Sequence, residues 1–221
     1  VSAVRHLENF PAAAVMEFNR VMAMRIHPTK SLLIATTIEI LDEKLPGEIA
    51  VDEILEKSGI SKGSLYHHFE DLGELLEVAQ VERYAAWVDR SVTAIVAMLA
   101  KVKSREDLVN GLKLITRFTQ DPAYSKTRFQ RARAIAAAEH NPRFKKRLAE
   151  EQKRLTDALI DLINEARNKG FYASDFDAHA GAVLVQAYTL GMIVDDFVDD
   201  KMDPEEWYKL IDLVVDRVFL V

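Results

Sequence analysis

An all-α protein is what this sequence predicts, with an N-terminal three-helix helix-turn-helix domain and a larger C-terminal helical domain, about nine helices together. Three observations carry the expectation. Apolar residues recur at three- and four-residue intervals, and no stretch shows the two-residue alternation of a half-buried strand. Asp-Pro and Asn-Pro pairs, Ser and Asp caps and a Lys-Gly stop divide the chain at helix-length intervals. Between Ser58 and Phe69, moreover, a short helical pattern follows another across a glycine.

Length and composition set the outer bounds. The chain has 221 residues, 49% hydrophobic and 29% charged, the balance of a globular protein with ample length for a core. It has no cysteine, which excludes disulfides, thiolate metal sites and cysteine redox sensing and suits a reducing cytoplasm. The longest run without Asp, Glu, Lys or Arg, Ala178 to Val194, is at the short end of membrane-spanning length. His179, Gln186 and Tyr188 lie within it and Asp177 and Asp195 bracket it, so it reads as a helix buried in protein, and no membrane partner is expected.

Residues 1–27 form an extension that does not fit a secretory signal, because Glu8, Asn9, Glu17, Asn19 and Arg20 break the apolar positions. Pro11 to Arg25 has the spacing of an amphipathic helix with Val15, Phe18 and Met22 on one side; a frayed extension is the alternative. As a helix it would bring Arg20, Arg25 and Lys30 to the edge of the next domain, residues 28–75, where a basic arm reaches a minor groove. The first helix of that domain starts at Thr29 or Ser31, turns Leu33, Thr37, Ile40 and Leu41 inward, and ends before Leu45-Pro46-Gly47. Val51 to Lys57 is a short helix with Ile54 and Leu55 inward, and Gly59 supplies the positive φ of a tight turn. Ser61 then caps a second short helix. Leu65 and Phe69 give it one buried stripe, while Lys62, Gly63, Tyr66 and His67 fall on the outward side and His68 nearer the stripe.

Short helices joined through a glycine-containing turn make a helix-turn-helix, whose second helix enters the DNA major groove. Lys62 and Ser64 are candidate base contacts, since Lys pairs with guanine and Ser with several bases. Tyr66 and His67 are candidate phosphate contacts, Ser61 is both cap and phosphate ligand, and Gly63 lets the backbone approach closely. Thr29 and Lys30, at the start of the first helix, complete the set.

The run Val51-Asp-Glu-Ile…Ser58-Gly-Ile-Ser-Lys-Gly-Ser-Leu-Tyr-His-His-Phe69, preceded by Thr29-Lys-Ser-Leu-Leu-Ile…Glu39-Ile-Leu-Asp-Glu-Lys44, resembles the DNA-binding domain of TetR-type bacterial transcriptional regulators. That resemblance implies a homodimer on an operator in double-stranded DNA, and a cavity for a small-molecule effector among the middle helices of the larger domain. It also implies repression, with no covalent chemistry and no cofactor. The sequence departs from the family pattern at Leu45, often glycine there, at Leu55, often a small alanine, and at Leu72, near which a basic residue often grips a phosphate. Charge is a further departure: residues 29–75 hold four Lys and no Arg against ten acids, and the whole chain is at −6. Phosphate neutralisation supplies most non-specific affinity, so salt-sensitive binding is expected unless Glu39, Asp42, Glu43, Glu48 and Glu56 face away from DNA.

The domain over residues 76–221 is helical throughout. Asp71 with Glu74 opens a long helix reaching about Val102. Further starts are expected at Ser104 with Asp107, at Asp121-Pro122, at Asn141-Pro142, at Ser174 with Asp177 and at Asp203-Pro204. Lys169-Gly170 stops the helix that opens at Asn141-Pro142. For the effector pocket the larger candidates are Tyr84, Trp87, Phe118, Tyr124, Phe129, Tyr188 and Met192, set against the ordinary role of such residues as core. The final helix has apolar residues on more than one side, and the helix before it has a face of small residues. Ala178, Gly181, Val185, Trp207, Ile211, Val214 and Val218 are therefore the expected dimer interface.

Three weaker patterns remain. Asp195-Asp196-Phe197-Val198-Asp199-Asp200 resembles the magnesium-binding run of helical isoprenoid synthases, but a second such run is missing, and solvated acids at a helix end are the simpler reading. Lys126, Arg128, Arg131 and Arg133 are either an anion site or a solvated face. His140, His179 and Glu139 lack paired metal-ligand spacing, so no metal is expected. The leading expectation is a regulator that binds DNA and is released by a small molecule. A protein of the same fold that works through a ligand or protein partner is the rival.

Overall fold

The computed structural model describes residues 27–171 and 176–219, with backbone alone at 218 and 219. Among these residues the secondary structure is all-helical, with nine helices of two turns or more. They are α1 (Pro28–Leu41), α2 (Val51–Ser58), α3 (Lys62–His68), α4 (Leu72–Leu99), α5 (Arg105–Gln120), α6 (Ser125–Ala138), α7 (Pro142–Asn168), α8 (Ala178–Gly191) and α9 (Pro204–Val214). A single turn, Ile193–Asp196, follows α8, and Val215–Phe219 continues α9 as a π-helix. The readings made for residues 1–26, for Ser174 and for the Val218 side chain lie outside the described residues.

Local chemistry explains most of the boundaries. Each orphan N–H at a helix start needs an acceptor, and a side-chain cap contributes about 1 kcal/mol. Ser104 Oγ accepts from Asp107 N at 3.1 Å while Asp107 Oδ2 accepts from Ser104 N at 3.0 Å, a reciprocal capping box. Asn141, Asp177 and Asp203 cap α7, α8 and α9, receiving Phe144 N, Ala180 N and Glu205 N at 3.0, 2.7 and 3.0 Å. Asp121 caps a 3-10 turn at Pro122–Tyr124, and α6 begins only at Ser125. The start of α1 is set by a residue that periodicity does not single out: His27 Nδ1 accepts from Thr29 N at 3.3 Å, with Pro28 in the first turn.

The chain divides into two compact units at Arg83/Tyr84. In the first, α1–α3 close on Leu33, Ile40, Ile54, Leu65, Phe69 and Leu75, all nearly inaccessible to solvent. The unit runs two turns past Leu75 because Ala79 belongs to the same core and Arg83 Nη1 donates to the Leu41 carbonyl at 3.0 Å. In the second, α7 packs against α8, and α6 and α5 pack against α7 and α9 respectively. Gly181 makes the closest part of the α7–α8 contact: a Cβ there would stand 3.0 Å from Ile163 Cδ1 and 2.9 Å from the Phe176 ring. Polar links cross the same layer. Tyr84 OH bonds Gln152, Gln152 bonds Gln186, and Gln186 Nε2 donates to Thr156 Oγ1 at 3.1 Å.

This packing corrects the expected interface. The small-residue face of α8 is used inside the subunit, so Ala178 and Gly181 are buried there, as is Ile211 of α9. Trp207 is half-buried and its indole N–H donates to Gln120 Oε1; Val214 is also half-buried. The reason is that small residues permit close approach without specifying whose helix approaches. Val183, Leu184, Leu210 and Leu213 are the exposed large apolar residues of these two helices, at 51, 44, 52 and 49%. The uncharged run Ala178–Val194 is accordingly buried on one side only, and among the described residues no helix is long and apolar enough to cross a membrane.

Candidate functional site

The helix-turn-helix has the geometry its residues suggest. α2 ends on Gly59 at φ +68°, a left-handed conformation that costs an L-residue about 1–2 kcal/mol. Ser61 Oγ then accepts from Ser64 N at 3.3 Å and opens α3. Leu65 and Phe69 are 0 and 2% exposed, and this anchors one side of the helix. Along the other side Lys62, Gly63, Tyr66 and His67 are exposed and Ser64 is half-exposed. Gly63 has no fold-imposed role, since a Cβ there meets nothing within 4 Å.

The start of α1 adds to this face. Thr29 and Lys30 are half-buried, with the Lys30 ammonium 5.1 Å from the centre of the Phe69 ring. The His27 ring lies 4.8 Å from that of His68, which in turn lies 5.1 Å from His67. Partial burial, then the neighbouring His27, His67 and Lys30, hold His68 below its ordinary pKa of 6.5. Sequence reasoning missed His27, whose role depends on a residue 41 positions away along the chain. The lysines are unequal. Lys44 and Lys57 are paired with Glu53 at 2.7 Å and Glu39 at 3.1 Å, whereas Lys30 and Lys62 have no carboxylate partner among the described residues. Among the described residues of the acidic first unit, the two lysines without a carboxylate partner thus sit on α3 and at the start of α1.

The second unit encloses a cavity of about 210 Å³ bounded by α4–α8 and the residue after α9. Trp87, Phe118, Tyr124 and Tyr188 of the candidate residues line it. Tyr84, Phe129 and Met192 do not. Tyr84 is buried behind Trp87 at a ring separation of 5.6 Å, Phe129 lies under the Arg133 guanidinium, and Met192 is buried at the end of α8. Val185, expected at the dimer interface, lines the cavity instead, as do Leu155, Leu159 and Leu162. These leucines repeat at i, i+4 and i+7 of α7, a signal of burial that does not distinguish a cavity wall from solid core.

Charge inside this unit differs from the solvated-face reading. Arg128 and Arg131 are only 2 and 5% exposed. Arg128 forms a two-pronged ion pair with Asp196, its Nη2 at 2.7 Å from Oδ1, and its Nη1 donates to the Asp121 carbonyl at 3.2 Å. Asp196 is therefore not a solvated acid, and neither is it free for magnesium; Asp195 Oδ1 accepts from Met202 N at 3.2 Å. Arg131 lines the cavity with its guanidinium 3.5 Å from the Trp87 ring centre. Burial lowers its pKa, partly opposed by Tyr84 and reinforced by Arg128. Burial also raises the Tyr188 hydroxyl, against a hydrogen bond to Thr116.

An all-helical chain with an N-terminal helix-turn-helix and a separate helical unit around a cavity is the architecture these observations define. It is the fold of TetR-type transcriptional regulators. A TetR transcriptional regulator from Chloroflexus aurantiacus superposes with a TM-score of 0.65 at 18% identity, covering 87% of this chain and 96% of its own. Salmonella enterica GusR gives 0.56 at 25% identity over 76% and 83% of the two chains. The transcriptional regulator FadR from Bacillus subtilis, in complex with stearoyl-CoA, gives 0.60 at 13% over 84% and 96%. No family model matches the chain, and no curated protein matches it.

Proposed function

We propose that this protein is a DNA-binding transcriptional regulator, a homodimer whose affinity for its operator is lowered by a small molecule held in the second unit. One observation above all supports the DNA reading. On α3 the apolar side is committed to the core while Lys62, Ser64, Tyr66 and His67 point outward, flanked by the unpaired Lys30. In a dimer, two such helices enter successive major grooves about 34–36 Å apart on a near-palindromic site. The cavity supports the effector reading, with coupling of about 1–3 kcal/mol typical of such linkage. Repression relieved by ligand is the sense the family resemblance implies, and the cytoplasm is the compartment where an operator is met.

The test is selection from a random duplex library at low salt, followed by fluorescence anisotropy across a salt series. A palindromic consensus whose affinity falls steeply with salt supports the reading. Tyr66→Ala should weaken binding about tenfold, the loss of one well-made contact, while leaving the oligomeric state unchanged. Failure to enrich any sequence at low salt would favour the rival with a protein or ligand partner, for which the ten acids of residues 29–75 speak.

A further inference from the structure

The cavity wall has an imbalance of charge. Arg90, Arg128 and Arg131 are among its lining residues, and among the described residues no Asp or Glu is. Arg128 is neutralised from behind by Asp196, and Arg90 is exposed to water. Arg131 is different. It is 95% removed from solvent (5% exposed), has no carboxylate partner among the described residues, and its Nε–H lacks any acceptor. The compensation it has is the face of Trp87 at 3.5 Å and the nearby Tyr84. A cation–π contact offsets only part of the cost of withdrawing a guanidinium from water.

We propose that the ligand of this cavity is a monocarboxylate with an apolar body, its carboxylate held by Arg131 and its hydrocarbon or aryl part by Trp87, Leu155, Leu159 and Tyr188. This deepens, and rests on, the reading of the cavity as a ligand site. One buried guanidinium matches one negative charge and offers paired donors to two carboxylate oxygens. A phosphate, with close to two charges, would ask for further donors, and Arg128 is already engaged. A cationic ligand would meet repulsion from every ionised residue on the wall. The apolar body follows from the leucine and isoleucine walls, which favour burial of hydrocarbon over its exposure to water.

The experiment uses the full chain with Trp207→Phe, so that Trp87 is the single fluorophore of its two tryptophans. Decanoate, 4-phenylbutanoate and naphthalene-2-carboxylate are each titrated beside the corresponding primary amide, with Trp87 emission and melting temperature as readouts. At least one acid should bind saturably and its amide about tenfold more weakly or worse, as expected for losing a charge-assisted hydrogen bond. Arg131→Gln should erase the difference between acid and amide, and Arg131→Lys should restore part of it. Equal binding of acid and amide, or no binding by any of the three acids, overturns the inference, and the melting-temperature arm repeats this comparison on the unsubstituted chain. An acid that binds and yet leaves DNA affinity unchanged would sustain the carboxylate site and overturn the effector reading instead.

Discussion

At Gly63 the protein itself asks for nothing that only glycine can give: the site is helical and a Cβ would stand in open space. Alanine there should therefore stabilise the isolated protein by about 0.5–1 kcal/mol, the usual gain from restricting a helical glycine. If α3 lies against a duplex, the same methyl group should cost operator affinity, and urea unfolding with anisotropy on one variant separates the two effects. Unchanged affinity would mean that the backbone never comes close to DNA at this point. His68 offers a second residue-scale test. Its folded pKa lies below 6.5, so the folded state binds fewer protons than the unfolded one as pH drops through that range. Its contribution is present above about pH 6.5, where both states are neutral, and is lost as pH falls through the lower folded value. The urea midpoint of the first unit should decline on acidification from neutrality, and His68→Gln should flatten that decline. A wild-type midpoint that rises instead would contradict the assignment.

Among the elements, the ion pair between α6 and the turn after α8 carries the largest single electrostatic commitment. Arg128 and Asp196 are 2 and 6% exposed at the side chain, and they are 68 residues apart in the chain. Removing the carboxylate leaves a buried guanidinium uncompensated, which typically costs about 3–5 kcal/mol. Asp196→Asn should lower the stability of the second unit by that order. Both tryptophans, Trp87 and Trp207, lie in this unit, so their fluorescence reads its unfolding. A change under about 1 kcal/mol would place the pair in solvent and return it to the modest class of surface salt bridges. The exposed pair Arg154–Glu151 at 2.5 Å and the i,i+4 pair Lys153–Asp157 at 2.6 Å belong to that class already.

For the whole molecule, the exposed apolar side chains of α8 and α9 are the testable surface. Val183, Leu184, Leu210 and Leu213 are each roughly half accessible, while the neighbouring Gly181 and Ile211 are occupied internally. A second copy of the chain is the occupant the proposed operator geometry requires, since a two-fold site is read by two heads. Leu184→Glu with Leu213→Glu should convert the proposed dimer to monomer in sedimentation equilibrium and weaken operator binding, with helicity preserved. A double variant that remains dimeric would move the interface elsewhere.

Read unaided, the chain was most legible where structure is local. Caps at Ser61, Ser104, Asn141, Asp177 and Asp203, and the glycine at the left-handed turn, act on neighbours within four residues. The polar and apolar sides of α3 follow likewise from 3.6-residue periodicity. Burial partners were another matter. Periodicity says that α8 has a face for close packing, and only the tertiary structure gives that face to α7 of the same subunit. Composition says that residues 126–133 are basic, and only the fold sends Arg128 to Asp196 and leaves Arg131 against Trp87 in a cavity wall. Local hydrogen bonds and helical repeat are written in adjacent residues; which side chain neutralises a charge or fills a space depends on contacts that close loops of many tens of residues.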